Sequence, residues 1–401
     1  MRRFIKDRFP RSNREGINFS GTFVIAGFIM AALAASRLIV PLVAISLGAS
    51  SLLVGVAAAL FTAVPMFLSV PFGRWMDGAG TLVAVFLSAM MVVLASMLYW
   101  FMPSRYTLLA VAGLIGTAGV FTHMAATRAV GTGVSEINRA KWLGYLVLSY
   151  SFFTFLGPVI ASHAFEHSGS VVAIGTLGLF ALLTIIGIRV LPHNFRRVEL
   201  VANANSSSRR TTDLLAIQDL RLWIVISSIF TANQTLYPFI LSLHVAHIGL
   251  AVSQAGWMLG AFALGTLTSR LFTPLLVRYI RPDVTLIAAL ISAAGVYAFI
   301  PVAHETTTLI ALSAALGLPL GVGTPVALAM IYEASPQGRV NEALGISMSV
   351  NNFLQTVFPL LIGVVASGLG VAPMVWTWSC VILLSALLTL LRSRRLQQDD
   401  C

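Results

Sequence analysis

Apolar residues fall in long runs along the chain, separated by short segments where arginine, glycine, proline and asparagine collect. A bilayer core of ~30 Å needs ~20 apolar residues per helix. Runs of that size recur twelve times, at 19–47, 51–72, 81–102, 106–128, 142–164, 170–191, 222–246, 253–276, 284–302, 308–331, 343–367 and 373–391. None has the ~10-residue alternating segments of an outer-membrane barrel, so the pattern predicts an all-α membrane protein with twelve transmembrane helices. The first run follows a basic tail and is too long for a signal-peptide core, so it is expected to remain as the first span.

Composition agrees, since 58% of the residues are hydrophobic and only 10% charged, against about 25% charged in a soluble domain. Two cysteines, Cys380 and Cys401, offer neither a disulfide framework nor a metal-ligand spacing. The net charge of +11 would point to nucleic acid if it formed a patch on a soluble domain. Here the cations sit between the spans, so no nucleic-acid partner is expected. They fall in the N-terminal tail, at Arg74, Arg128, Arg139 and Lys141, from Arg189 to Arg221, at Arg278, Arg281 and Arg339, and from Arg392 to Arg395, while the opposite loops carry Arg105. The positive-inside rule then puts both termini in the cytoplasm of a bacterial inner membrane, with loose attraction of the tail to anionic lipid.

The chain also matches itself at an offset of 201: Gly48 with Gly249, Gly55 with Gly256, Gly116 with Gly317, Gly144 with Gly345, and Pro158 with Pro359. Two pseudo-symmetric six-helix bundles follow, 1–191 and 222–401, joined by a polar cytoplasmic linker at 192–221 that carries Asn203, Asn205 and a serine run. Such duplication suits a machine whose halves rock about a shared central site.

Gly73, Asp77 and Gly80 match the Gly-x-x-x-Asp-x-x-Gly signature of the major facilitator superfamily after its second span, with Arg74 the local cation. Gly157 and Pro158 resemble the centre of the Gly-Pro motif of that family's antiporter branch, although Phe152 replaces the upstream glycine and Ala161-Ser162 the downstream pair. The resemblance covers essentially the whole chain. It implies alternating-access transport through a cavity lined mainly by spans one, four, seven and ten and their neighbours.

Polar side chains deep in the spans are the candidates for substrate contact. A lone arginine at the bilayer centre costs roughly 2.5 to 3.5 kcal/mol on translocon scales. Arg37 stands there with no Asp or Glu deep in any span to pair with it. It meets backbone carbonyls and water, or an anionic substrate group, for which its planar fork is suited, or else it snorkels outward or packs structurally. Asn233, Gln234 and Tyr237 in span seven, and Asn351 and Gln355 on one face of span eleven, either line a cavity or hold helices together. Tyr150 belongs to a milder polar stripe in span five, with Ser149 and Thr154. His123 in span four is either a carrier of a coupling proton or a packing residue. Arg128 and Arg270 lie near the cytoplasmic face, where pairing with loop acids and gating are expected.

His163, Glu166 and His167 spell an inverted zinc-protease pattern, but at the mouth of an outer loop, where no catalytic cleft is expected. No nucleotide-binding loop is present in the sequence, so neither an enzyme nor a cofactor is expected. The leading expectation is a monomeric carrier performing proton-linked efflux of a small organic compound. The alternatives are an organic-anion transporter anchored on Arg37, and a membrane receptor without transport.

Overall fold

The computed structural model describes residues 11–133, 136–193, 195, 212–336 and 339–399. Helices α1 (Arg11–Ser46), α2 (Ser51–Ala79), α3 (Thr81–Phe101) and α4 (Thr107–Gly133) come first. The next helical run, Glu136–Val190, is interrupted at Gly169, with φ 82° and ψ −179°, giving α5 (136–168) and α6 (170–190). After a short helix at Thr212–Ala216 come α7 (Gln218–Ile248), α8 (Val252–Tyr279), α9 (Pro282–Phe299), α10 (Thr306–Ala334), α11 (Val340–Leu369) and α12 (Val371–Asp399). Ten stretches are long and apolar enough to cross a membrane, one of them, Trp142–Val190, being the α5–α6 pair. With α8 these make twelve long helices among the described residues, in two six-helix bundles. Phe67, Leu94, Trp100, Phe101 and Leu388 point outward, as a surface solvated by lipid chains requires and one facing water would not.

Several boundaries differ from the sequence expectation. The first helix begins at Arg11 rather than 19, and α2 runs to Ala79, so Gly73, Arg74 and Asp77 are helical and Gly80 alone makes the turn into α3. No loop separates the fifth and sixth spans, because one glycine performs the break. The basic N-terminal tail before residue 11 and the 196–211 part of the linker lie outside the described residues.

Gly80 has φ 89° and its N–H bonds the Met76 carbonyl, a conformation that side chains bearing a Cβ rarely adopt. Gly80→Ala is expected to cost about 1–3 kcal/mol, read as a lower thermal midpoint in detergent.

The duplication is visible in three dimensions. Gly169 and its equivalent Gly370 both interrupt helices at positive φ, 82° and 89°. A Cβ on Gly116 would strike the carbonyl oxygen of Phe61, and one on Gly317 that of Phe262, which is Phe61 shifted by the same offset. These glycines bring α4 onto α2 and α10 onto α8.

Contacts between the halves follow the same rule. Gly55 of α2 abuts the Pro359 carbonyl and Gly363 of α11, while Gly256 of α8 abuts the Pro158 carbonyl and Ser162 of α5. Both seams lie at the end of the bundle away from the chain termini. Glu166 reinforces one of them, accepting from the Ser253 N–H at 3.0 Å. Nearer the middle, Thr62 and Thr356 share a hydrogen bond of 3.1 Å, and the Ser242 hydroxyl donates to the Leu38 carbonyl at 3.3 Å. At the terminal end, the equivalent residues Gly144 and Gly345 face open space.

Candidate substrate cavity

A cavity of about 150 Å³ lies between the halves. Ala34 and Arg37 line it from α1, Tyr150, Ser151 and Thr154 from α5, and Gln234 and Pro238 from α7. Leu259, Phe262, Ala263, Thr266 and Arg270 line it from α8. The spacing of three or four residues along α8 puts all five side chains on one helix face. Proline in α7 frees a backbone carbonyl beside the cavity, since Pro238 has no N–H to give the preceding turn.

Of the expected helices the first and seventh line the cavity, and neighbouring α5 and α8 take the places of the fourth and tenth. The reason is steric. Glycines press α4 and α10 into their neighbours: a Cβ on Gly119 would meet the Leu33 side chain, and one on Gly321 would meet Ser269 and the Thr266 backbone. Packed this closely, α4 and α10 contribute no residue to the cavity wall. Thr324 of α10 still reaches Gln234, whose amide donates to it at 3.3 Å.

Arg37 is half-buried. Its Nε is shielded from solvent with no hydrogen-bond partner, and no ion pair to it is found among the described residues. Arg270 donates to the Ser151 hydroxyl at 3.1 Å, from α8 of one half to α5 of the other. Tyr150 is buried and its hydroxyl has no partner. None of the lining residues is acidic. The cavity therefore presents two guanidinium groups, an unused phenol, three small hydroxyls and an amide against an apolar floor.

The other sequence candidates go elsewhere. Asn233 is fully buried; its amide donates to the Ile229 carbonyl at 2.8 Å and its oxygen accepts from the Trp378 indole at 2.8 Å, tying α7 to α12. Gln355 accepts from Thr235 at 2.6 Å, joining α7 to α11. Tyr237 shares its hydroxyl with Ser313 of α10 and packs on Phe262. Interhelical bonds of this kind contribute about 0.6 kcal/mol each on average. Asn351 is half-buried outside the cavity wall, its Oδ1 without a partner. His123 is exposed and its ring lies 5.7 Å from that of Tyr150, beside the wall but not in it.

Arg270 was expected at a gate beside loop acids; α8 places it in the cavity with a serine for partner. Arg128 is half-buried near the terminal end of α4. Gly73 is half-buried, and a Cβ there would come 3.4 Å from Met124 of α4. Gly157 abuts the Ala31 carbonyl, and the carbonyl of Pro158 meets Gly256, so the Gly-Pro pair sits where α1, α5 and α8 converge. Ser151 and Thr266 were not singled out from sequence. The signal for Thr266 was its place four residues before Arg270, on the same helix face.

The Major Facilitator Superfamily model matches residues 222–399. No curated protein matches the sequence. Among solved structures, the chain is similar to a POT family transporter in complex with 5-aminolevulinic acid, at 11% identity and a TM-score of 0.75, covering 94% of this chain and 96% of that one. It is also similar to the peptide transporter POT, at 13% identity and a TM-score of 0.76 over 94% of each chain. The nucleoside transporter NupG gives 13% identity and a TM-score of 0.73, over 93% of this chain and 99% of that one. The second bundle thus matches the Major Facilitator Superfamily by sequence, and the chain as a whole shares the fold of these solved transporters.

Proposed function

We propose that this transporter carries a small organic anion by alternating access, with Arg37 as the anchoring group. The observation that carries the reading is the unpaired Arg37 guanidinium in a central cavity whose lining holds a second arginine and no carboxylate. A desolvated cation without a counter-ion is costly unless the ligand supplies one. Size argues in the same direction: at about 150 Å³ the cavity falls below the ~300–1,000 Å³ typical of drug-sized ligands, which favours a metabolite over a bulky drug.

The halves correspond to 1–191 and 222–401, with 192–221 as the linker. They meet at the end away from the termini, whereas a Cβ on Gly144 or Gly345 would meet nothing, which supports a cavity opening toward the terminal side. With the arginine-rich segments on that side, this is the cytoplasm-facing state of a monomeric inner-membrane carrier surrounded by lipid. Proton-linked export is the second reading, and it draws on His123, exposed and next to Tyr150 of the cavity.

The test is counterflow in proteoliposomes. Vesicles loaded with an unlabelled carboxylate are expected to accumulate the labelled compound saturably, and a labelled lipophilic cation is expected to be ignored. Transport of the cation with none of the carboxylates would overturn the anion reading. Dissipating the pH gradient separates the proton question: net flux of the carried compound falls if a proton is coupled and is unchanged if it is not.

A further inference from the structure

We infer that the substrate carries two separate acidic groups on a short aliphatic spacer, one received by Arg37 of the first half and the other by Arg270 of the second; this rests on the anion reading above. The two guanidinium groups line one cavity yet come from α1 and α8, in opposite halves. Among the described residues Arg37 has no partner, and Arg270, with five N–H donors to satisfy, bonds the neutral Ser151 hydroxyl alone. A monoanion compensates one of them and leaves the other cation desolvated when the halves close. A molecule with an acid at each end compensates both and pulls the halves toward each other.

The rest of the wall fits a spacer. Pro238, Leu259, Phe262 and Ala263 provide apolar surface for methylene groups, and the unpartnered Tyr150 hydroxyl is free to donate to the ligand. The small cavity, about 150 Å³, favours a spacer of a few carbons. In this arrangement Ser151 is a holding partner, which Arg270 exchanges for a carboxylate when the ligand arrives.

Calorimetric titration of the purified protein with succinate, glutarate and adipate, against butyrate, pentanoate and hexanoate, tests this. The best dicarboxylate is expected to bind about tenfold or more tightly than the monocarboxylate of equal length, as a second charge-assisted pair implies. Arg270→Gln is expected to bring that ratio close to one, and Arg270→Lys to restore part of it. Equal affinities for mono- and dicarboxylates in the unmodified protein would overturn the two-group inference while leaving the anion reading intact. Glycerol phosphate, with both charges on one group, binding more tightly than every dicarboxylate would overturn it too. Failure of all these anions to bind would sink the anion reading itself. The unmodified protein's selectivity is read without any variant, so a poorly folding Arg270→Gln does not decide the matter.

Discussion

Arg37→Gln is expected to weaken carboxylate binding by about thirtyfold or more while leaving the empty protein as stable as before, or slightly more so. The two effects have opposite signs because the guanidinium is half-buried without a counter-ion. In the empty carrier its Nε is shielded from solvent and makes no bond among the described residues, so its removal relieves a desolvation cost rather than breaking a bond. In the loaded carrier it is one partner of a buried ion pair, and deleting one partner of such a pair costs about 2–5 kcal/mol, which corresponds to factors from about thirty to several thousand in dissociation constant. A thermal-shift titration reads both quantities at once, since the midpoint without ligand reports stability and its rise with ligand reports affinity. Arg37→Lys is expected to recover only part of the affinity, because an ammonium lacks the planar fork that takes a carboxylate by two parallel bonds. A purely structural Arg37 would give the reverse result, with a large drop in the empty midpoint and an unchanged ligand-induced rise.

The membrane bundle was legible in the sequence because its cause is one-dimensional. A run of apolar residues long enough to cross the bilayer has little choice of conformation, and twelve such runs with an internal offset define the architecture. Boundaries were less legible: Gly73, Arg74 and Asp77 are as compatible with a loop as with the last turns of a helix, and only the position of the positive-φ residue, Gly80, decides it.

Much of the cavity was hidden for a related reason. The sequence marks which residues are polar within a span but not which neighbour each one faces. Asn233, Gln234 and Thr235 are consecutive, yet they point to Trp378 of α12, Thr324 of α10 and Gln355 of α11 respectively. An amide that is satisfied by another helix and one that is free for a ligand look identical in a string of letters. Arg37 was the exception, because no acid within any span could pair with it whatever the packing. Arg270 lay close enough to a span end to be taken for a gate, and only the line of Leu259, Phe262, Ala263 and Thr266 along the same face puts it in the cavity.

Gly256→Leu is expected to shift the carrier toward the state open at the end away from the termini. In the structure Gly256 has no room for a side chain: a Cβ there would collide with the Ser162 hydroxyl and come against the Pro158 carbonyl. Both obstacles belong to the opposite half, so the clash exists only while that end is closed. Overpacking of this kind costs about 1–3 kcal/mol, and set against a conformational equilibrium of a few kcal/mol it changes the ratio of the two states by about 5- to 150-fold. Gly116→Leu makes the informative contrast. Its obstacle, the Phe61 backbone, lies in the same half, so the cost falls on both states and should appear as a lower thermal midpoint with no change in conformational balance. The readout is a cysteine placed at Ser242, which is buried where α7 bonds the Leu38 carbonyl of α1, in a background without the native cysteines. Gly256→Leu should raise the labelling rate of this cysteine from the far side of the membrane, whereas Gly116→Leu should not. If both variants label alike, the seam between α5 and α8 is ordinary packing and the halves do not separate there.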